Sequence, residues 1–110
     1  MERRQSLFGT RKQTLVLMLV CLLEETYSRE LARLALADAG AVSRYLDKLE
    51  TGGIIVSRYI GKERRVSINP RFVARKELTS LVEKLSGAEP ELMERVRSLR
   101  KRPRRRGKEV

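Results

Sequence analysis

A helical pattern followed directly by two β-branched runs limits the folds that are open to this chain. The segment DAGAVSRYLDKLETGG begins at Asp38. Its apolar residues Val42, Leu46 and Leu49 are spaced by four and three, which predicts an amphipathic helix. The runs IIVSRYI and RRVSIN come next, joined by GKE, where Gly61 can adopt a positive φ. A two-stranded hairpin is at best marginal in water, so this hairpin must pack against the helices.

A second short helix precedes the one that begins after Asp38. Ser28 is its predicted N-cap, and Glu30 lies in its first turn, where the helix dipole favours a negative charge. Asp38 is the predicted N-cap of the following helix, after a turn of about three residues. Two short helices joined by so tight a turn form a helix-turn-helix.

The longest apolar run lies in the first helical segment, TRKQTLVLMLVCLLEE, for which Thr10 is available as N-cap. The second half of this segment is apolar on every side. Such a helix is either enclosed by the rest of a small domain or shared with a second copy, and the second arrangement is favoured for part of it. The run Leu15–Leu23 is too short to cross a membrane, which takes roughly 20 residues, and no secretory cleavage site follows it. The chain is therefore expected to be a soluble, cytoplasmic protein without a membrane partner.

Two more helices are predicted after the hairpin. Asn69 and Pro70 are expected to end the hairpin and to begin the first of these helices, with Asn69 as its cap. The two helices either cover the core or form a dimer interface. The predicted inward-facing residues are Val56, Ile60, Val66 and Ile68 in the hairpin, Phe72, Val73, Leu78, Leu81, Val82 and Leu85 in the next helix, and Leu92, Met93, Val96 and Leu99 in the last.

The amino-acid composition excludes several classes of site. The chain has no histidine and one cysteine, Cys21, so an intrachain disulfide, a structural zinc site and catalytic triads are not expected. Most of the 14 acidic residues lie at helical spacing beside Arg or Lys, as on a solvated, charge-paired surface. A Gly-rich phosphate loop is also lacking. The sequence therefore predicts a protein that is not an enzyme and has no cofactor or bound metal.

The net charge of +11 is concentrated at the end of the chain. The tail RKRPRRRGKEV, residues 100–110, has seven basic residues opposed by Glu109, which gives +6 and leaves +5 for residues 1–99. A basic tail on a basic body suits a polyanion such as nucleic acid; the alternative is a disordered, solubilising end. The basic residues of this tail are Arg100, Lys101, Arg102, Arg104, Arg105, Arg106 and Lys108.

The face of the 38–51 helix opposite its apolar stripe has the residue types of a DNA-recognition surface. Small residues in its first turn allow a backbone to approach closely, arginine can bond guanine O6 and N7, and serine can donate to a base or a phosphate. Tyrosine and lysine further along are placed for phosphates. The alternative is an ordinary solvent face with one Arg and one Lys. The predicted base contacts are Ala39, Gly40, Ser43 and Arg44, the predicted phosphate contacts are Ser28, Tyr45 and Lys48, and the basic hairpin residues are Arg58, Lys62, Arg64 and Arg65.

The segments SRELARL and DAGAVSRYLDKLETGGIIVSRYIGKERRVSINP resemble the winged helix-turn-helix domain of ArsR-like and MarR-like bacterial and archaeal transcription regulators. The resemblance covers residues 7–70, and its most specific part is the order of helix, Gly turn, strand, basic turn and strand. It implies a DNA-binding homodimer, with the 38–51 helix in the major groove and the basic hairpin as a wing on the flanking backbone or minor groove. The chain lacks the paired cysteines of ArsR-like metal sensors, and it has Leu36 where the turn usually has Gly. Its C-terminal third is similar to that of small stand-alone winged-helix proteins encoded beside nucleotidyltransferase-type partners.

These patterns predict a mostly α fold with a small β-hairpin (α+β), a winged helix-turn-helix with additional C-terminal helices. Residues 1–70 are expected to be the DNA-binding domain, 71–99 the C-terminal helices and 100–110 the basic tail. The leading hypothesis is a homodimeric, sequence-specific double-stranded DNA-binding transcriptional regulator. The alternative is a protein-interaction module, such as an antitoxin-like partner of a nucleotidyltransferase-type protein, whose tail binds nucleic acid without specificity. RNA binding is a lesser option, because the aromatic residues are scattered.

Overall fold

The computed structural model describes residues 6–101, apart from the side chains of residues 100 and 101. The elements in this range are α1 (Arg11–Leu23), β1 (Thr26–Tyr27), α2 (Ser28–Ala35), α3 (Ala39–Thr51), β2 (Ile55–Ile60), β3 (Glu63–Ile68), α4 (Arg75–Ser86) and α5 (Pro90–Lys101). The strands form one antiparallel sheet in the order β1-β3-β2. The fold is the predicted α+β winged helix-turn-helix with further C-terminal helices.

Helix α1 lies at the centre of the core. Thr10 caps it as predicted: its hydroxyl accepts a hydrogen bond from the backbone N of Gln13 at 3.1 Å, and Gln13 Oε1 accepts one from the backbone N of Thr10 at 3.0 Å. Every residue from Thr14 to Val20 is buried, and α2, α3, α4 and β3 of the same chain pack around the helix. The prediction that a second copy covers part of this helix is therefore wrong for this stretch, because one chain encloses it.

Helices α2 and α3 form the helix-turn-helix. Asp38 is the N-cap of α3 as predicted, since its Oδ2 accepts a hydrogen bond from the backbone N of Ala41 at 2.9 Å. Ser28, in contrast, is not the N-cap of α2. Tyr27 occupies that position without a side-chain bond, because its pairing with Arg65 in the sheet keeps the chain extended up to this residue.

The turn between α2 and α3 contains a left-handed residue that is not glycine. Leu36 has φ 56° and ψ 49°, and its side chain is 63% exposed. Lys12 of α1 donates from Nζ to the backbone oxygens of Ala35 at 3.2 Å and Leu36 at 2.7 Å. Arg95 of α5 donates from Nε to the backbone oxygen of Leu34 at 2.8 Å. Cations from both ends of the chain therefore satisfy the last carbonyls of α2.

The register of β2 and β3 gives the hairpin two distinct faces. Ile55 is buried at the base of β2, whereas Val56 and Ile60 are 38% and 49% exposed. The prediction that Val56 and Ile60 face inward is therefore wrong by one residue, while Val66 is buried as predicted. The pairs Ile55–Ile68, Ser57–Val66 and Tyr59–Arg64 lie on the face toward the core and α3, which we call the inner face, and the pairs Val56–Ser67, Arg58–Arg65 and Ile60–Glu63 lie on the outer face.

Asn69 closes the base of the hairpin. Its backbone N donates to the carbonyl of Ile54 at 2.8 Å, and its Nδ2 donates to the carbonyl of Gly53 at 2.9 Å. Its Oδ1 accepts from the backbone N of Arg71 at 3.0 Å, within a turn and not a helix. The prediction that a helix begins at Asn69-Pro70 is therefore wrong, and α4 begins at Arg75.

Helices α4 and α5 complete the same core. Val82 of α4 and Leu92 and Val96 of α5 belong to one buried cluster with residues of α1, α2 and α3. Val73 is 94% exposed and Leu81 is 38% exposed, so the prediction that these two residues face inward is wrong. A groove of about 310 Å³ beside α4 is lined by Phe8, Leu17, Ile54, Phe72, Ala74, Glu77, Leu78 and Leu81.

The left-handed conformation of Leu36 leads to a prediction about the free energy of unfolding. We expect Leu36→Gly to raise the free energy of unfolding by about 0.5–1 kcal/mol, because glycine adopts this φ without the Cβ clash. Urea denaturation measures the change. Leu36→Ala is the matched control, because it removes the same exposed side chain and keeps the clash. Equal stability of the two variants would contradict the prediction.

Candidate nucleic-acid interface

The outer face of α3 is open to solvent along its whole length. Ala39, Gly40, Arg44 and Lys48 are exposed, and Ser43 is half-buried at the edge of this face. The opposite stripe, Val42, Leu46 and Leu49, is buried as predicted. Helix α3 therefore cannot rotate without exposing core residues, so its outer face has a fixed orientation.

The first turn of α3 consists of small residues that the side chains of Asp38 and Arg44 flank. A Cβ added at Gly40 would lie 3.2 Å from Asp38 Oδ2 and 3.5 Å from Arg44 Nη1. The Arg44 guanidinium thus lies back over the small residues of this turn, and it makes no ion pair within residues 6–101. It is free to turn outward and bond an acceptor.

Tyr45 does not belong to this face. Its side chain is 8% exposed, and its hydroxyl donates to the backbone carbonyl of Phe8 at 3.1 Å. Burial also raises the pKa of this hydroxyl. The prediction that Tyr45 contacts a phosphate is therefore wrong, because the ring fastens the segment before α1 to α3.

A cleft separates the helix-turn-helix from the tip of the hairpin. Its volume is about 390 Å³. The hydroxyls of Ser28 and Ser43 lie 3.0 Å apart at its wall and tie the first turn of α2 to α3. The first turn of α2 also presents backbone N–H groups that have no partner within the helix, which favours an anion nearby. The lining residues are Tyr27, Ser28, Arg29, Ser43, Lys62, Glu63 and Arg64.

Arg29 is a member of this cleft that sequence reasoning misses. It is exposed in the first turn of α2. Its position directly after Ser28 could identify it. A basic side chain at a helix N-terminus is unfavourable with respect to the helix dipole, so its presence there indicates a site for an anion. Arg29 and Lys62 give the cleft one cation on each side.

The four predicted basic residues of the hairpin do not form one cationic surface. Arg58 and Arg65 lie on the outer face, where Glu25 accepts from Arg58 Nε at 2.9 Å and lies 4.0 Å from Arg65 Nη1. Arg65 also binds Glu63, and its guanidinium lies 5.2 Å from the centroid of the Tyr27 ring. The charges on this face therefore largely cancel one another.

Arg64 points to the inner face and joins the hairpin to α3. Its Nη1 donates to Asp47 Oδ1 at 2.8 Å, and its Nη2 donates to Glu50 Oε1 at 2.7 Å. Its Nε donates to the hydroxyl of Ser57 at 2.9 Å, and that hydroxyl donates to Glu50 at 2.6 Å. The Arg64 side chain is only 17% exposed. Its guanidinium is thus occupied by acceptors of this chain and braces the hairpin against α3.

The bonds of Arg64 to Asp47, Glu50 and Ser57, here called the brace, should weaken at low pH. The bond from Ser57 and then the bond from Arg64 hold the pKa of Glu50 below its ordinary value. A carboxylate with a lowered pKa stabilises the fold above the unfolded-state pKa of about 4.3. This contribution is lost as the pH falls through the lower pKa of the folded state.

Lys62 lies in the turn between β2 and β3, next to Gly61, whose φ is +62° as the sequence predicts. It is exposed and makes no ion pair within the described residues. Of the four hairpin cations it alone has no acidic partner in the part of the chain that the structure describes. Helix α5 extends through Lys101, and the predicted tail residues Arg102, Arg104, Arg105, Arg106 and Lys108 lie outside the described residues.

Residues 6–101 contain no group of three acidic or cysteine side chains placed to hold a metal ion. Burial raises the pKa of the Cys21 thiol to about 12, so the thiol stays protonated near neutral pH. No helix in this range is both long and apolar enough to cross a bilayer.

The fold resembles that of a solved protein. A crystal structure of a predicted DNA-binding transcriptional regulator from E. coli matches the chain with a TM-score of 0.50 and 23% sequence identity, over 64% of this chain and 73% of that one. No protein-family model matches the chain. No curated protein matches it either. The likeness establishes the fold.

The brace between α3 and the hairpin leads to a second prediction about the free energy of unfolding. We expect Arg64→Ala to lower the free energy of unfolding by about 1–2 kcal/mol at pH 7, because three charge-assisted bonds are lost and solvent screening at Asp47 and Glu50 reduces their worth. Urea denaturation measures the loss, and the difference should become smaller as the pH falls through the lowered pKa of Glu50, because protonation of this carboxylate weakens its bond with Arg64.

Arg97→Ala is the matched control for this measurement. Its ion pair with Glu94 is exposed on both sides, so its loss should cost less than about 0.5 kcal/mol. If Arg64→Ala and Arg97→Ala are equally stable, Arg64 does not brace the hairpin.

Proposed function

We propose that this protein is a sequence-specific double-stranded DNA-binding transcriptional regulator. The observation that supports this best is the outer face of α3, which the core holds in place. It combines a first turn of small residues, an exposed lysine and an arginine that has no ion pair within residues 6–101. A helix with this surface fits the major groove, which is about 12 Å wide. The fold shared with a predicted DNA-binding regulator is consistent with this function.

In this proposal the helix-turn-helix supplies both base and phosphate contacts. Ala39 and Gly40 let the backbone approach the bases, Arg44 bonds the O6 and N7 atoms of a guanine, and Ser43 donates to a base or a nearby phosphate. Lys48 and Ser28 bind phosphates on either side of the groove. Each serine hydroxyl keeps an acceptor or donor site in addition to the bond that joins Ser28 to Ser43.

The cleft between the helix-turn-helix and the hairpin extends this surface. In the proposal a phosphate of the duplex occupies it, between Arg29 at the first turn of α2 and Lys62 at the hairpin turn. The net charge of +11 supports attraction to a polyanion over a longer range.

The proposed regulator acts as a twofold homodimer that occupies an operator and so blocks or redirects polymerase. Twofold symmetry implies a pseudo-palindromic operator with half-sites about 34–36 Å apart, or a multiple of that distance. The exposed residues Leu7, Val73 and Leu81, beside the apolar groove at α4, support an interface for a further chain. In the leading proposal that chain is a second copy.

A second candidate function is a protein-interaction module, and the same apolar groove favours it. In this case a partner protein, such as one of nucleotidyltransferase type, occupies the groove, and the basic tail holds nucleic acid without specificity. Truncation after Leu99, which removes the whole tail, distinguishes the two candidates. If the truncated protein keeps its preference for one duplex, binding does not depend on the tail.

Removing Arg44 or Lys62 should have different effects on the preference for one DNA sequence. Arg44→Ala should cost about 1–3 kcal/mol on the preferred duplex and relax the preference, because a base contact is lost. Lys62→Ala should weaken binding to all duplexes alike and reduce the salt slope by about one, because a phosphate contact is lost.

Fluorescence anisotropy at two salt concentrations measures these effects. The probes are the duplex upstream of the protein's own gene and a scrambled duplex of the same composition. Arg97→Ala is the control, since it removes a cation from α5. An equal loss on both duplexes for Arg44→Ala would show that α3 does not read the bases.

A further inference from the structure

We propose that Tyr59 contacts DNA beside Lys62 of the hairpin, and that its ring packs against the sugars and base edges of the groove next to the one that α3 occupies. This inference rests on the proposed function and names the contact that the hairpin makes. It replaces the basic hairpin contact that the sequence predicts, in which four cations face the duplex.

The first observation is that the hairpin arginines are already occupied. Arg58 bonds to Glu25, Arg65 bonds to Glu63, and Arg64 bonds to Asp47 and Glu50. A phosphate that contacted one of these guanidinium groups would lie close to the carboxylate that already neutralises it, which weakens the attraction. A hairpin contact of another kind is therefore favoured.

The second observation is where Tyr59 lies. It pairs directly with Arg64 across the strands, so both side chains are on the inner face. Arg64 extends from this face to Asp47 and Glu50 of α3. Tyr59 therefore lies on the face of the hairpin from which Arg64 reaches α3, at the end of the hairpin near its turn.

The third observation is that Tyr59 is exposed and has no polar partner among residues 6–101. Tyr59 is 67% exposed, and its hydroxyl makes no hydrogen bond within residues 6–101. The other two tyrosines are engaged, because Tyr45 is buried and the ring of Tyr27 lies against Arg65. An exposed aromatic ring next to a basic turn suits a surface with both apolar and charged parts, as a groove of DNA has.

Lys62 completes the contact at the turn. It lies three residues after Tyr59 and lines the cleft that faces the first turn of α2. A duplex in contact with α3 would place a phosphate near Lys62 and the adjoining sugars near Tyr59. The contribution of Lys62 to the affinity should therefore depend on the salt concentration, and that of Tyr59 should not.

Fluorescence anisotropy of the full chain with a 30-bp duplex, selected from a random pool by the unaltered protein, tests the inference. We expect Tyr59→Ala to weaken binding roughly five- to a hundredfold, the effect of removing one aromatic contact, with no change in the dependence of affinity on salt. Tyr59→Phe should retain most of the affinity, because the ring is kept. Ile60→Ala is the matched control, since Ile60 is the exposed neighbour on the outer face, and it should bind as the unaltered protein does.

The outcomes separate this inference from the function on which it rests. If the unaltered protein prefers no duplex, the proposed function fails and the inference with it. If it prefers one duplex but Tyr59→Ala binds as Ile60→Ala does, the inference alone is overturned. If Tyr59→Phe loses as much as Tyr59→Ala, the contact is made by the hydroxyl and the ring contact is overturned.

A spectroscopic measurement does not depend on affinity changes. Labelling only the Cζ ring carbon of tyrosine gives three resonances, one for each tyrosine, and Tyr59→Phe identifies the one from Tyr59. Addition of the selected duplex should shift the Tyr59 resonance and leave the buried Tyr45 resonance in place. An unshifted Tyr59 resonance in the bound state would overturn the inference.

Discussion

The enclosure of α1 is the constraint on which the rest of the structure depends. Its buried stretch, Thr14 to Val20, covers about two turns of helix, so every direction around the axis needs a packing partner. Helices α2, α3 and α4 and strand β3 supply them. The outer face of α3 follows from this arrangement, because the residues that α3 buries against the core leave the opposite side outward. The candidate interface is thus a consequence of how one apolar helix is covered.

Features that depend on neighbouring residues could be predicted from the sequence. The cap at Thr10, the cap at Asp38, the stripe of α3 and the positive φ at Gly61 each follow from a few adjacent positions, and all are present. Ser28 is predicted as the N-cap of α2 but is not, because a strand of two residues, β1, directly precedes it. So short a strand has no periodicity of its own, and it exists only because β3 is available to pair with it.

The partners of long side chains could not be predicted, because these contacts join segments that are distant in the sequence. Arg58 meets Glu25, which is 33 residues away, and Arg64 meets Asp47, 17 residues away. The sequence shows four cations in one hairpin but not that alternate residues point to opposite faces, each with its own acids. Tyr45 is a different case: it lies three residues after Val42 and four before Leu49, so helical spacing alone places it on the buried stripe, and only its hydrogen bond to the carbonyl of Phe8 depends on a distant segment.

The sheet order leaves β2 with one edge that no strand covers in residues 6–101. Such an edge is a template for pairing with a strand of another molecule, and the exposed residues Val56 and Ile60 would strengthen that pairing. Arg58 lies midway between them on the same face. Two copies paired antiparallel about this residue would bring both Arg58–Glu25 ion pairs into the seam and remove water from them, and this cost opposes uncontrolled self-assembly. The ion pair at Arg58 therefore helps to keep copies of the chain apart.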